Sequence, residues 1–318
     1  MLDKIKEINN KFSVAGYEKE LTSYIMAKAE KYCDECFVDN IGNIICHKKG
    51  QGEKILINIP ISCDGAFLSH ITDKGYLKFH TIGSLKAQNL VGAKVRKESG
   101  DVVGVILTDS DKEELLTDDL YIDTGLGDKE SVEKLIKVGD IFEPICEPYK
   151  LGENIYGSKL SKTVGILVGI EIVKSIKSSC DLYFAFTIMD NLGFKGAKTA
   201  ATLINPDICV IISAAATSNK DTEIELGKGV AVRIKDSHII VNKALRDRVI
   251  KSLSDENIPY QLEIVSGDGI TNNEIMYLSN GILTSNINCP VKCIGTMNEG
   301  VNEKDISNMI KSLQVILV

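Results

Sequence analysis

Residues 182–213 read LYFAFTIMDNLGFKGAKTAATLINPDICVIIS, and this stretch decides the fold. The apolar segment Leu182–Ile188 predicts a strand, and Phe194–Ile204 predicts a helix. A second strand over Ile208–Ser213 is almost continuously apolar, as in a strand that is covered on both faces of a sheet. The stretch therefore predicts a strand–helix–strand unit of an α/β fold.

Similar elements flank this unit on both sides. Val164–Ile176 and Ala244–Leu253 predict helices, and Ile282–Ile287 predicts a further strand. A last helix follows Asn302, whose side chain suits an N-cap. Its apolar face is marked by Ile306, Met309, Ile310 and Leu313. We therefore predict a three-layer α/β fold, with helices on both faces of one sheet.

The middle of the chain has a different pattern of apolar and polar residues. Short alternating segments such as Ala66–Ile71 and Tyr76–His80 are separated by tight turns. Regular short strands with such turns indicate a small β-barrel or sandwich. We therefore predict an inserted small β-barrel domain. The predicted α/β domain covers residues 1–65 and 149–318, and the predicted β domain covers residues 66–148.

Composition excludes several classes of protein. The 318 residues include 37 basic and 44 acidic side chains, which gives a formal charge of −7. Nucleic acids and anionic membranes attract clustered Lys and Arg, so we predict neither as a partner. The first residues alternate charged with apolar side chains and do not resemble a signal peptide. We therefore expect a cytoplasmic protein.

The cysteines predict packing rather than chemistry. There are 9 of them, an odd number, scattered through apolar segments. In a cytosolic protein most should be free and buried. Cys33 and Cys36 form a lone CxxC at the end of a helical pattern. A redox or zinc role would need a second pair or a thioredoxin-like context, and neither is apparent in the sequence.

Several motifs, in order along nearly the whole chain, resemble the glutamyl aminopeptidase family. Asp39-Asn-Ile-Gly-Asn43 resembles the family's D-x-x-G-N strand entry, and Leu192-Gly-Phe-Lys-Gly-Ala197 its V-G-L-R-G-A. Leu226-Gly-Lys-Gly229 and Ile258-Pro-Tyr-Gln261 match as well. Members are also called tetrahedral or deblocking aminopeptidases, and some are labelled cellulase or endoglucanase. The resemblance implies a zinc-peptidase-like sheet, two divalent metals such as zinc or cobalt, and dimers that assemble into larger particles.

The metal-ligand positions implied by the resemblance carry unsuitable residues in this chain. The family's general base falls on Asp190, and its G-G-T-D motif is altered at Gly269–Asn272. Where the family has His, Asp, Glu, Asp and His ligands, this chain has Ile61, Ser161, Asn191, Ser213 and Gly295. A catalytic zinc ion needs about three strong donors, which these side chains do not supply. We therefore predict no metal and no other cofactor, and we regard Asp190 as vestigial.

A residual site could remain near these positions. Lys162 could pair with Asp64 or Asp190 and replace the lost metal charge, or it could point to solvent. Cys63 and Cys293 could instead converge with Asp190 on a soft metal ion. The four histidines occupy none of the ligand positions; they are His47, His70, His80 and His238.

These residues leave three functional hypotheses. The first is a non-catalytic homologue that binds peptides or joins an assembly, as a homo-oligomer of dimers or larger particles or with an active paralogue. The second is an active hydrolase with a rearranged metal or thiol site, in which Cys63 or Cys293 is the nucleophile and Asp190 the base. The third is a retained aminopeptidase whose ligands differ from those assigned above.

Overall fold

A computed structural model describes residues 1–218, 221–266 and 271–318, without the side chains of residues 271–273. The strands are β1 (Glu35–Val38), β2 (Ile44–Lys48), β3 (Lys54–Pro60), β4 (Gly65–Ile71), β5 (Leu77–Ile82), β6 (Lys94–Arg96), β7 (Val102–Leu107), β8 (Tyr121–Asp123), β9 (Ile141–Ile145), β10 (Tyr149–Leu151), β11 (Asn154–Gly157), β12 (Asp181–Thr187), β13 (Ile208–Ala216), β14 (Val230–Lys235), β15 (Tyr260–Ile264), β16 (Leu283–Val291) and β17 (Glu299–Asn302). The helices are α1 (Leu2–Asn9), α2 (Lys19–Ala29), α3 (Lys129–Glu133), α4 (Leu160–Ser175), α5 (Lys195–Ile204), α6 (Lys243–Asp255), α7 (Thr271–Met276) and α8 (Glu303–Ile316).

The central sheet has the strand order β1-β2-β12-β3-β13-β16-β14-β15. Its middle strands β12, β3, β13 and β16 are parallel neighbours, and β2 and β14 join them antiparallel. Parallel strands are normally covered on both faces, which explains the continuous apolar run of β13. A short second sheet is antiparallel and has the strand order β10-β11-β17.

Helices cover both faces of this sheet. The larger core lies between the sheet and helices α1, α2, α4, α6 and α8, and α4 is buried along most of its length. The opposite core lies beneath α5 and α7 and is built mainly from alanine and isoleucine side chains. The prediction of a three-layer α/β fold is therefore confirmed.

Helix α4 lies close to the sheet because Gly169 has no side chain. A Cβ atom there would lie 2.6 Å from Ile59 Cδ1 and 3.0 Å from Phe186 Cε1. Those two residues belong to β3 and β12 and are fully buried. One turn earlier, a Cβ at Gly165 would meet Ile212 at 3.4 Å, which is an ordinary contact. The two glycines therefore differ in how much their small size matters.

The middle of the chain forms a closed barrel with the strand order β4-β5-β8-β7-β6-β9. Its interior is filled by apolar side chains from all parts of this region, among them Leu68, Leu77, Val95, Ile106, Ile122 and Phe142. The tight turn between β4 and β5 contains Gly75 at a φ of 79°, which favours glycine. The predicted inserted β-barrel is confirmed, while its boundaries at residues 66 and 148 stay a prediction.

The last helix follows the sequence-based expectation. The Asn302 side chain accepts a hydrogen bond from the Lys304 amide at 2.9 Å, so it caps α8. Ile306, Met309 and Leu313 are fully buried along the predicted apolar face. Among the helices of the described ranges, none is long and apolar enough to cross a membrane.

Candidate functional site

A cavity of about 490 Å³ opens between the central sheet and the barrel. Its floor is formed where the parallel strands β3 and β12 end and by the start of α4, and β9 contributes one wall. Ligands of open α/β sheets commonly bind beyond the carboxyl ends of the strands. The fold therefore forms a binding cleft at the place where such sheets normally have one.

Most of the side chains singled out in the sequence line this cavity. They are Cys63, Asp64, Ser161, Lys162, Asp190, Asn191, Ser213 and Gly295. Two others do not line it. Ile61 is fully buried in the larger core, and Cys293 is exposed at a φ of 56°. Of Cys63, Cys293 and Asp190, which could converge on a soft metal ion, only Cys63 and Asp190 line the cavity. The altered motif at Gly269–Asn272 lies outside the residues whose side chains are described.

Asp64 is held by neutral donors. Asn191 Nδ2 donates to Asp64 Oδ1 at 2.8 Å and to the Cys63 carbonyl at 3.0 Å. The Ser84 amide donates to the second Asp64 oxygen at 3.1 Å. Both amide hydrogens of Asn191 are thereby committed, which fixes the orientation of its side chain. Its Oδ1 atom is buried and has no hydrogen-bond partner among the described residues.

Asp190 directly precedes Asn191 in the short turn after β12, and it also lines the cavity. Its Oδ2 atom accepts from Thr187 Oγ1 at 2.9 Å, whereas its Oδ1 atom is buried without a partner in the described part of the chain. Burial raises the pKa of Asp190 to about 6, against the opposing effect of the Lys162 ammonium. Two buried acceptor oxygens, one on Asp190 and one on Asn191, therefore have no hydrogen-bond partner among the described residues.

Lys162 lines the cavity and is half-buried. Its ammonium acts through space on Asp190 and on Glu299 and opposes the rise in pKa that burial causes in each. Within the described ranges, however, it forms no ion pair of 4.0 Å or less. Lys162 therefore does not pair directly with Asp64 or Asp190. It does not point fully into solvent either, because it is half-buried.

Sequence reasoning missed the strongest charge cluster of the cavity wall, which centres on Glu143 of β9. This carboxylate is completely buried. It accepts hydrogen bonds from Arg96 Nε at 2.7 Å and from Lys159 Nζ at 2.5 Å. Burial pushes the pKa of Glu143 upward, but Lys159 and Arg96 outweigh it, and the pKa is lowered overall. Glu143 is therefore a buried carboxylate bound by two cations, and the strand sequence Ile-Phe-Glu-Pro-Ile does not indicate either partner.

The Glu143 carboxylate also contacts Cys63 and affects the protonation of its thiol. The Cys63 thiol lies 2.9 Å from Glu143 Oε1 and donates to it. Burial, and then the negative charge of Glu143, raises the pKa of Cys63 well above its usual value. A thiol that stays protonated is neither a good metal ligand nor a nucleophile.

Glu299, at the start of β17, is a second residue that the sequence did not reveal. It accepts the backbone N–H groups of Ser161 at 2.7 Å and Gly295 at 2.8 Å. Burial raises the pKa of Glu299. The buried carboxyl group of Glu299 thus joins Ser161 and Gly295, two of the positions at which the resemblance implies metal ligands. Glu299 was missed because its neighbours in the sequence are polar turn residues without a recognisable motif.

The residues at the implied ligand positions do not fit two divalent cations. Ile61 and Gly295 offer no side-chain donor, and Ser161 and Ser213 are neutral. In the parts of the chain that the structure describes, no three His, Cys, Asp or Glu side chains are grouped so that they could hold a metal ion. A protein cation, Lys162, stands in the wall instead. Two divalent ions bring about four positive charges, which this donor set would not offset.

The family assignment follows from comparison with known proteins. The family model described as M42 glutamyl aminopeptidase matches residues 42–311. The chain belongs to the M42 glutamyl aminopeptidase family. The resemblance noted in the sequence is thereby confirmed.

Relatives of this M42 chain match it over nearly its full length. A protein of Acetivibrio thermocellus that carries the name of an aminopeptidase is 30% identical, over 98% of this chain and 97% of that protein. Aminopeptidase APDkam598 of the archaeon Desulfurococcus kamchatkensis has a similar structure, with a TM-score of 0.94, 26% identity, and coverage of 99% of this chain and 94% of that one. The TET1 peptidase of Pyrococcus horikoshii, described as able to assemble into a tetrahedron or a large octahedral shell, has a TM-score of 0.88 and 25% identity, over 99% and 98% of the two chains.

Proposed function

We propose that this M42 chain is a non-catalytic homologue that binds peptides in the cavity and does not act as a metallopeptidase. The observation that carries the proposal is the donor set of the cavity. The five positions at which the resemblance implies metal ligands hold no imidazole and no carboxylate. Without a metal, the scissile carbonyl and the attacking water lack the charge stabilisation that a two-metal site supplies.

The polar atoms of the cavity suit a ligand that carries an ammonium group. Asp190 Oδ1 and Asn191 Oδ1 are buried acceptors without partners in the described residues. A buried polar atom that stays unpaired costs about 1–3 kcal/mol, so a ligand donor at this position would be favourable. A peptide amino terminus supplies three such donors. Its charge would also complement the carboxylate form of Asp190.

The rest of the wall suits the remainder of a short peptide. Lys162 is a cation that lines the cavity and could approach carbonyl or carboxylate oxygens. Arg233 lines the cavity as well, but its Nε and Nη2 atoms donate to Glu263. Leu85, Phe194 and Met297 provide apolar surface for a side chain. The volume of about 490 Å³ falls within the range of about 300–1,000 Å³ that is usual for small-ligand sites.

The alternative of a rearranged active site has less support. A thiol nucleophile at Cys63 would need a thiolate, whereas burial and Glu143 keep its pKa high. The second candidate, Cys293, does not line the cavity. Catalysis by a cysteine also normally requires an imidazole beside the thiol, and His70, His80 and His238 are exposed side chains away from the lining residues.

We also propose that the chain forms a homo-oligomer. The support is the similar TET1 peptidase of P. horikoshii, which can assemble into a tetrahedron or a large octahedral shell. An active paralogue as a co-assembling partner is a further part of this proposal. The compartment we propose is the cytoplasm, because all nine cysteines are unpaired thiols.

One set of measurements tests the proposal. The purified chain is incubated with excess Zn²⁺, Co²⁺ or Mn²⁺, desalted, and analysed for bound metal and for cleavage of a panel of aminoacyl and peptide substrates. We expect less than one equivalent of metal and no turnover above the level of a heat-denatured sample. Stoichiometric metal together with turnover would overturn the non-catalytic reading.

Binding is measured separately by calorimetry with a mixture of free dipeptides and with the same mixture after N-acetylation. We expect heat of binding for the free peptides and at least about tenfold weaker binding after acetylation, since a charged hydrogen bond contributes about 1.5–3 kcal/mol. Equal binding of both mixtures would show that the amino terminus is not what the cavity recognises.

A further inference from the structure

Four sulfur atoms gather where helix α2 meets the first hairpin of the sheet. Cys36 of β1 and Cys46 of β2 are directly opposite each other in the antiparallel register. The thiols of Cys33 and Cys36 both act on the neighbouring Cys46 thiol and raise its pKa. Cys36 Sγ also lies 3.5 Å from Met26 Sδ on α2. The sequence showed only the lone CxxC; the hairpin adds the third thiol.

The backbone spacing of Cys36 and Cys46 is suitable for a disulfide bond. Asp39 donates its N–H to the Asn43 carbonyl at 2.9 Å, which makes Asp39–Asn43 a hydrogen-bonded pair. Pairs alternate along an antiparallel ladder, so Cys36–Cys46, three steps further on, is a non-hydrogen-bonded pair with Cα atoms about 4.5 Å apart. Disulfides span Cα distances of about 4.4–6.8 Å. The bond could therefore form without movement of the strands.

The three thiols differ in exposure and acidity. Cys33 and Cys36 are half-buried, whereas Cys46 is fully buried. The neighbouring Cys46 thiol, together with the charge of Lys48, lowers the pKa of Cys33. An external reagent therefore meets Cys33 and Cys36 first, with Cys46 behind them.

A metal is the other ligand that a sulfur cluster could hold. Within residues 1–218, 221–266 and 271–318, however, no three His, Cys, Asp or Glu side chains are arranged to bind a metal ion. The arrangement of one directly opposed pair with a third thiol beside it matches dithiol–disulfide exchange instead.

We propose that Cys36 and Cys46 are a redox modification site, which forms a reversible cross-strand disulfide by exchange with a low-molecular-weight disulfide. The Cys36 thiolate attacks one sulfur of the small disulfide; a mixed disulfide forms and one small thiolate leaves. Cys46 Sγ then attacks Cys36 Sγ and expels the second small thiolate, and Cys33 relays the Cys46 proton to that leaving thiolate. The two protein protons end on the two small thiols, so that two protein thiols are oxidised and one small disulfide is reduced.

The bond should be easily reversed. Its expected Cα spacing lies at the short end of the range, and strained disulfides are the more readily reduced ones. It would link the exposed edge strand β1 covalently to β2. This inference is independent of what the cavity binds, because the cluster and the cavity lining share no residue.

The test uses the full chain and oxidised glutathione as the probe. After oxidation, free thiols are alkylated under denaturing conditions, and the protein is digested with endoproteinase Asp-N and trypsin. This digestion puts Cys36 on residues 34–38, Cys46 on residues 39–48 and Cys33 on another peptide. We expect residues 34–38 linked to residues 39–48, two alkylated cysteines fewer than the nine of the reduced chain, and full recovery of nine after dithiothreitol.

Matched variants complete the test. Cys36→Ser and Cys46→Ser should each abolish the link, whereas Cys33→Ser should slow its formation and Cys209→Ser, at a cysteine buried in β13, should leave it unchanged. Recovery of residues 34–38 only as a glutathione adduct, only alkylated, or linked to Cys33 would overturn the proposed pair. Because Cys36 is half-buried, Cys36→Ser keeps the test decisive if Cys46→Ser fails to fold.

Discussion

The Cys63 thiol donates a hydrogen bond to Glu143 across 2.9 Å, at the wall of the cavity. The carboxylate and burial together keep the thiol protonated. We expect iodoacetamide at pH 8 to alkylate the exposed Cys293 at least about tenfold faster than Cys63, because only thiolates react. Peptide mapping after timed labelling measures both rates. Equal rates would restore Cys63 as a candidate nucleophile.

Removing the charge of Glu143 should be costly. In Glu143→Gln, the side chains of Arg96 and Lys159, which are 9% and 10% exposed, lose their anion. Breaking one side of a buried ion pair costs about 3–5 kcal/mol. We expect denaturant unfolding to show a loss of this size. Glu133→Gln, at an exposed ion pair on α3, serves as the control and should unfold like the unmodified chain.

The stability of the chain should fall as the pH rises toward the pKa of Asp190. Its pKa is about 6 when folded and ordinarily 3.8, so the folded state retains a proton that the unfolded state has lost. The free energy of unfolding therefore decreases between about pH 4 and pH 6 and stays lower above it. Asp190→Asn should remove this component and stabilise the chain by about 1–3 kcal/mol at pH 7.5. Asp73→Asn, in the exposed turn after β4, should keep the original pH profile.

The affinity for peptides should instead rise with pH. As Asp190 becomes a carboxylate above about pH 6, it becomes a stronger acceptor for an amino terminus. We expect the affinity for free dipeptides to rise about tenfold between pH 5 and pH 7.5. Calorimetry at both pH values with Asp190→Asn checks the assignment, since this variant should bind weakly and without the pH trend. A pH trend that survives the substitution would assign the titration to another group.

The two glycines of α4 allow a matched comparison. A Cβ at Gly169 would lie 2.6 Å from Ile59 Cδ1, whereas a Cβ at Gly165 would meet its nearest neighbour at 3.4 Å. Both alanine variants gain the same helix propensity, so their difference isolates the packing cost. We expect Gly169→Ala to be less stable than Gly165→Ala by about 1–3 kcal/mol in denaturant unfolding. Equal stability would mean that α4 shifts without cost.

The sequence allowed the layers of the fold to be predicted because their signals are local. The apolar run of β13 and the periodic face of α8 reflect burial on two sides and on one side, respectively. Strand β16 was predicted to end at Ile287 but continues to Val291. Asn286 and Asn288 are buried polar residues within it, which interrupt the apolar pattern although β13 pairs with the strand throughout.

The cavity was predictable only in part. Strand and helix ends brought Asp64, Lys162 and Asp190 to one place, as the resemblance implied. The cluster of Glu143 with Arg96 and Lys159 could not be foreseen, because charge pairing between distant segments leaves no periodic trace in a sequence. Cys293 does not line the cavity although the next residues, Ile294 and Gly295, do, and its residue type does not signal that difference.

The contacts of Arg96 have a mechanical consequence. This barrel residue binds Glu143 and also donates to the backbone carbonyls of Asn9 at 3.1 Å and Asn10 at 3.0 Å, where α1 ends. Lys159, immediately before α4, binds the same carboxylate and the Lys11 carbonyl at 2.8 Å. A swinging motion of the barrel would break several buried charged contacts at once. We therefore expect the cleft to have an aperture of nearly constant width, so that side chains at its rim, and not a hinge between domains, set the size of what can enter.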